Sequence, residues 1–480
     1  MPQGDKTFLI NELEKINAAM LQAENDFTTL LQRVDSAQKT SAINLLDYLV
    51  LRNRDIRELQ DTLHANGLSS LASSESHIRS QLLAILGHLH APVEDDEAPC
   101  TYATGKQLIK EKTIALFGNR LHEGIPHIMV TFDRAFGDHY ATVKNLLQSG
   151  MTVARINCAH DDESVWMRMI RNIRKAEEKT GLSCKIYMDL AGPKIRTDLA
   201  GKKKLKISTG SSISLCEAKN SDLPSHSIGI TLAGIIPQLQ PGERVLFDDG
   251  VIEALVSEVQ DNKANLLITR ISSKKPQIKS AKGINFPDSN LTITSLTEFD
   301  RTCLPFIKKY ADLIGYSYLR NAQDVIELQE AIQDHPDLSV ILKIETPDAV
   351  KHLPEILFQG MQQPHFGVMI ARGDLAVEIG FERMSEIQEE ILWICEAGHV
   401  PVIYATQILE SLNKAGLATR SEVIDAAHAA MAECVMINKG DHTIEVIETL
   451  RDILLRSGGH HVKKRYTFRP LQIASRFVGG

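Results

Sequence analysis

The chain contains no run of 18 apolar residues, no CxxC pair and no excess of basic over acidic residues. The first absence leaves nothing of the length a bilayer-spanning helix needs, so no membrane is expected. Seven cysteines, Cys100, Cys158, Cys184, Cys216, Cys303, Cys395 and Cys434, stand singly and make an odd total. That pattern suits reduced thiols rather than a disulfide framework. A formal net charge of -8 supplies no broad positive field, which excludes nucleic acid as an expected partner and requires any anion to be held by a local basic cluster. The start, MPQGDKTFLINELEKI, lacks a basic stretch followed by an apolar core, so the cytoplasm is the expected compartment. A Walker loop, a GxGxxG after a strand, an HExxH pair and a nucleophile elbow are also missing.

What is present is a chain of 480 residues, long enough for two or three domains and a large core. The first 90 residues or so carry apolar side chains at helical spacing, as in INELEKINAAMLQ, AINLLDYLVLRNRDIRELQDTL and HIRSQLLAILGHL. GLSSLASSES separates two of these helices, and the acidic APVEDDEAP of 91 to 99 reads as a linker. From His127 onward the pattern changes to short β-branched runs alternating with amphipathic helices. Eight runs can be counted: HIMVTF, TVARINC, KIYMDL, DLIGYSYL, SVILKIE, FGVMIAR, VPVIYAT and ECVMIN. Eight such units close a barrel.

A segment of about 85 residues interrupts the third unit, and its KKKLKIS, SSISLCEA, GERVLFDDGVIEALVSEV and KANLLITRIS alternate with a period of two. The expected architecture is therefore α/β: a (β/α)8 TIM barrel over 120–196 and 286–460, an inserted small all-β lid at 197–285, an all-α domain at 1–100 and a tail at 461–480. An insertion at the top of a barrel strand is placed to exclude water.

Active sites of such barrels lie at the C-terminal strand ends, so polar residues closing apolar runs are the candidates. The second run closes with Arg155 and Asn157, the third with Asp189, the fifth with Lys343 and Glu345, the sixth with Arg372, Gly373 and Asp374, and the seventh with Thr406. Residues two apart in a strand face the same side, which pairs Arg155 with Asn157 and Lys343 with Glu345. Glu345 and Asp374 make an oxygen-ligand pair for Mg²⁺, beside which Lys343 and Arg155 are phosphate-directed cations. Cations converging with a metal suit phosphoryl transfer. Taken singly, a charged residue at a strand end is more often a loop-facing surface group. His160 reads equally as a capping or packed residue, Lys202, Lys203 and Lys204 as a solvated edge, and Trp166 with Met167 and Met169 as packing.

The motifs SGMTVARINCAH, DLAGPKIRT, FDDG, KGINFP, ILKIE, MIARGDLAVEI and VIYATQILESL followed by ATRSEVIDAA occur in order, and over about residues 125 to 455 the chain resembles the pyruvate kinase family. The resemblance implies transfer of phosphate from phosphoenolpyruvate to ADP, giving pyruvate and ATP. It implies that Arg155 and Lys343 meet the transferred group and that Lys343 stabilises the enolate. Glu345 and Asp374 would ligate Mg²⁺, for which Mn²⁺ can substitute. Gly373 and Thr406 would hold the substrate carboxylate, with Thr406 near the proton that reaches the enolate carbon. Asn157, His160, Arg196 and Lys282 would face the nucleotide, and a homo-oligomer is expected.

The chain departs from the family pattern in four respects. Ala159 stands where the family usually has a Ser ligand for a monovalent cation, and Lys194 replaces the Glu typical of potassium-dependent members. In the region of Asn157, Asp189 and Lys194 an ammonium would thus replace the cation, and K⁺ is not expected to be required. TFDRAF replaces the usual TIGPAS, which bears on nucleotide choice. MINKGDHTIE runs without the usual SGET, which bears on proton delivery. The chain also runs only about 25 residues past the last barrel helix, so the C-terminal domain and its sugar-phosphate activation are not expected. Two other classes fit the same residues: a Mg²⁺-dependent enolate lyase or decarboxylase acting on a pyruvyl substrate, and a phosphoenolpyruvate-sensing scaffold.

Overall fold

The computed structural model describes residues 1–91, 98–120, 122, 124–201, 203–217, 223, 226–458, 461–462 and 465–466. Residues 92–97 of the acidic linker, Lys202 and most of the tail lie outside the described residues.

Eight parallel strands close into a barrel in sequence order: β1 (His127–Thr131), β2 (Met151–Asn157), β3 (Lys185–Asp189), β4 (Leu313–Tyr316), β5 (Ser339–Ile344), β6 (Phe366–Ala371), β7 (Val402–Ala405) and β8 (Cys434–Ile437), which returns to β1. Every one of these residues except Arg155, Asn157 and Lys185 is buried, as strands covered on both faces require. Met129, Val153, Tyr187, Leu313, Ile341, Met369, Ile403 and Cys434 fill the barrel interior. Helices of the shell start where the sequence supplies caps. Asp162 accepts from Ser164 N–H and Val165 N–H to open the helix Glu163–Thr180, and Gly181 at φ 70 ends it. Reciprocal Thr297–Asp300 and Thr419–Glu422 pairs open Glu298–Tyr310 and Arg420–His428.

The amino-terminal region is helical. α1 (Gln3–Asp26) buries Leu9, Leu13, Ile16, Met20 and Ala23 along one stripe, against α2 (Lys39–Arg52) and α3 (Ile78–His88). These residues belong to the same continuous core as the barrel shell. α4 (Tyr102–Phe117) then places Leu116 and Phe117 among the interior residues, closing the N-terminal end of the barrel like a plug. Polar groups fix the docking. Asn44 donates to Ala397 O at 2.8 Å, Gln38 to Pro364 O at 2.8 Å, and buried His399 lies 3.1 Å from Ser41 Oγ and 2.9 Å from Ser76 O. Lys112 donates to Ser41 Oγ at 2.6 Å and Gln38 Oε1 at 2.5 Å. The amphipathic stripes of these helices thus pack within the chain.

Between Thr197 and Asn285 lies a seven-stranded mixed sheet with its own apolar core. Its spine is the antiparallel pair Ile252–Gln260 and Lys263–Ile271. Two short segments, around Arg196 and Gly283, bridge to each other where this sheet meets the barrel. Among the described residues no helix is long and apolar enough to cross a membrane.

Candidate active site

β5, β6 and β7 each stop one residue before a polar residue that closes the run. Glu345 and Thr406 therefore stand at the first position of their loops, and Arg372 at the first position of the helix Arg372–Ile379, all at the barrel mouth. Lys343, still inside β5, is buried and reaches up into that mouth.

Its ammonium donates to Ser317 Oγ at 2.6 Å and lies 3.4 Å from Asp189 and 3.5 Å from Glu345. Asp189 Oδ2 also accepts from Arg155 Nε at 2.9 Å and Nη2 at 2.5 Å, while Oδ1 accepts from Tyr187 at 3.1 Å. One buried carboxylate thus orients two cations. Burial would lift its carboxyl, but Lys343 and Arg155 outweigh that and hold it below the usual range. Conversely, burial would lower the Lys343 ammonium, and Asp189 and Glu345 raise it. Lys343 is therefore charged at neutral pH.

Glu345 accepts from Tyr318 N–H at 2.7 Å and is pushed up to about 7, by burial first, against Lys343, with Asp374 adding repulsion. Two carboxylates in mutual repulsion beside a cationic cluster form an oxygen-donor set that fits Mg²⁺ or Mn²⁺, which take few protein ligands and leave the other positions to substrate and water. Among the described residues no group of three or more His, Cys, Asp or Glu is arranged to hold a metal alone.

Lys194 does not join Asn157 and Asp189. Its ammonium lies 2.6 Å from Asp374 Oδ1. Asp189 is already supplied by Arg155, Tyr187 and Lys343, so the free carboxylate across the mouth takes the lysine. Asn157, whose Cα pairs in register with that of Asp189, turns its Oδ1 to Ala159 N–H at 3.0 Å.

Gly373 N–H donates to Thr406 Oγ1 at 2.8 Å. Thr406 has φ 70, a backbone conformation β-branched residues rarely adopt. Arg372 holds it there. This guanidinium donates to Ala405 O at 3.0 Å and Thr406 O at 2.6 Å, pairs with Asp425 at 2.5 Å and lies over the Tyr404 ring at 4.0 Å. Such strain is typical of functional sites.

Beside Arg155 opens a recess of about 240 Å³ bounded by Asp133, Asn157, His160, Lys414 and Lys439, floored by Phe132, Trp166 and Met169. The His160 ring is held below its usual range by burial and then by Lys439 and Arg196. A neutral imidazole in a positive surround suits an anion. Arg196 and Lys282 stand at the root of the inserted sheet, where Arg196 donates to Ala281 O at 3.2 Å and Lys282 pairs with Asp248 at 2.7 Å. Arg134, of the altered first-strand segment, pairs with Asp161 at 2.9 Å on the rim of the recess.

Three participants were not singled out from sequence. Ser317 and Tyr318 close the fourth run, whose Tyr-Ser-Tyr texture reads as strand, although the Ser was the available signal. Asp425 lies on a helix with nothing local to mark it as the partner of Arg372.

A family model described as the pyruvate kinase barrel domain matches residues 127–445. The pyruvate kinase of Geobacillus stearothermophilus is 33% identical over 321 residues, covering 65% of this chain and 53% of that protein. That of Thermotoga maritima is 31% identical over 324 residues, covering 66% and 67%, and that of Dictyostelium discoideum 32% over 320 residues, covering 64% and 61%. The chain thus spans between about half and two thirds of the length of these curated relatives.

Proposed function

Because the chain belongs to the pyruvate kinase family, we propose that its barrel transfers a phosphoryl group from phosphoenolpyruvate to ADP, giving pyruvate and ATP. The observation that carries this reading is the position of Lys343 Nζ, held among Ser317, Asp189 and Glu345 and sharing Asp189 with Arg155.

Glu345 and Asp374 would hold the divalent cation, Mg²⁺ or Mn²⁺. Bound there, it neutralises charge on phosphate and enolate oxygens. The residues do the rest. Lys343 stabilises negative charge on the enolate oxygen, and Arg155 meets the phosphoryl group with a guanidinium already oriented by Asp189. Thr406 Oγ1 accepts from Gly373 N–H, so its own proton is free to be donated toward the substrate carboxylate or the enolate carbon. Asn157, His160, Arg196 and Lys282 would receive the nucleotide phosphates, and the inserted sheet, which has a separate core, would move as a lid. Lys194 supplies a fixed positive charge at the mouth from beside Asp374, not from between Asn157 and Asp189, and on that charge rests the expectation that activity would show little dependence on K⁺.

The test is a coupled assay for pyruvate with phosphoenolpyruvate, Mg²⁺ and ADP or GDP, run beside Lys343→Met. Pyruvate formed only with nucleotide, and only by the parent protein, supports the kinase. Pyruvate from oxaloacetate alone would point to a lyase. Phosphoenolpyruvate binding without turnover would point to a sensor, a reading favoured by the lysine seated on Asp374.

A further inference from the structure

The opposite end of the barrel carries a second group of basic side chains. A shallow recess there is lined by Arg120, His122, His127, Gly150, Thr152 and Arg451. His127 opens β1 and is 2% exposed. Its Nδ1 lies 3.0 Å from Thr152 Oγ1, while Nε2 is buried without a partner. Burial and then the charge of Arg120 hold the ring down to about 3, so it is neutral at neutral pH. Thr152 Oγ1 lies 3.0 Å from Nδ1 and 3.5 Å from Ile128 O; with the hydroxyl donating along the shorter contact, the ring proton sits on Nε2, a buried donor with no acceptor among the described residues.

Arg451 repeats the pattern. Its Nη1 donates to Ser149 O at 3.0 Å, and its Nε is buried and unpartnered. Neither Arg120 nor Arg451 has a carboxylate partner among the described residues. The neighbouring acid, Glu433, turns Oε2 to Val402 N–H at 2.9 Å. Among the described residues the recess therefore presents donors and positive charge.

We propose that this recess is a binding site for a phosphate-type oxyanion, either inorganic phosphate or the phosphate of a monoester. The enclosed space, about 10 Å³, admits one oxygen atom rather than a whole phosphate. One oxygen accepts from His127 Nε2, and the others stay at the mouth between Arg120 and Arg451 in charge-assisted hydrogen bonds. A water molecule would satisfy Nε2 alone and leave both guanidinium groups without a counter-charge. The site is independent of the proposed catalytic role, because none of its residues lies at the other mouth.

The experiment uses the full chain and follows the His127 imidazole nitrogens by NMR while sodium phosphate, or separately glycerol phosphate, is added at constant ionic strength. A saturable shift at Nε2 is expected, with affinity about ten-fold weaker in Arg451→Met and in Arg120→Met. Lys343→Met should leave the shift unchanged, which separates this site from phosphate bound at the upper mouth. A shift with both probes extends the site to phosphate esters, and a shift with phosphate alone confines it to the free anion. No saturable shift, or equal affinity in the parent and both arginine variants, overturns the proposal. Because the arginines lie on the surface or half-buried, folding of these variants is checked by their unchanged methyl spectra.

Discussion

The ammonium of Lys194 rests 2.6 Å from a carboxylate oxygen of Asp374. The contact places a cation from the loop after β3 on one of the two acids assigned to the divalent metal, so the lysine and the metal compete for the same charge. Lys194→Met should bind Mn²⁺ more tightly, by about 1 kcal/mol or roughly five-fold, the scale of a partly exposed pair. Calorimetric titration reads this without any turnover. Equal affinity in parent and variant would remove the competition from the account.

The same residue bears on monovalent cations. Turnover of the parent is expected to change little when K⁺ is added to K⁺-free, Na⁺-free buffer, whereas Lys194→Glu should acquire a strong K⁺ requirement. A large activation of the parent by K⁺ would sink this prediction.

Asp189 is the common anchor of Arg155 and Lys343. Asp189→Asn leaves two buried cations with one counter-charge fewer and is expected to lose about 3 to 5 kcal/mol of stability, measured by urea unfolding. Loss of activity with unchanged stability would mean that the carboxylate acts on substrate and not on its two neighbours.

Arg372 clamps the strained Thr406 loop through two carbonyls and Asp425. Arg372→Lys keeps the charge but not the planar fork, so Thr406 should be misplaced and turnover should fall by about 100-fold. Steady-state kinetics on phosphoenolpyruvate would show whether kcat carries the effect, as a positioning role requires.

Burial lowers the amine of Lys112 from 10.5 to about 7. Unfolded, the side chain keeps its ordinary value, so above pH 7 the unfolded state binds the extra proton and stability rises with pH. Neighbouring Cys100, pushed up from 9.0 to about 11, opposes this trend only above pH 9. Asp47, raised by burial from 3.8 to about 8, opposes the trend up to that pH, so the contribution of Lys112 between pH 7 and 9, about 1 to 2 kcal/mol, is read as the difference between the parent and Lys112→Met profiles. Urea midpoints across that range decide.

The barrel was legible because its strands are buried on both faces and so appear as β-branched runs, eight of them, five closed by polar residues. Those polar ends also named Lys343, Glu345, Asp374 and Thr406. Alternation alone could not say which partner each would take, and Lys194 went to Asp374 because Asp189 was already satisfied from three sides. Ser317 was hidden for a related reason: a small hydroxyl between two tyrosines does not break a strand pattern, yet it makes the shortest contact to Lys343. The docking of the amino-terminal helices rests on Asn44, Gln38 and His399, which meet across more than 300 positions of chain, a separation no local pattern spans.

Leu116 and Phe117 seal the base of the barrel, and the helical region docks over that sealed end. The interior of the barrel is thereby left open only at its proposed catalytic doorway. Whatever grasps the first 90 residues holds the protein by its handle and leaves that doorway clear, so anchoring and chemistry need not contend for one surface.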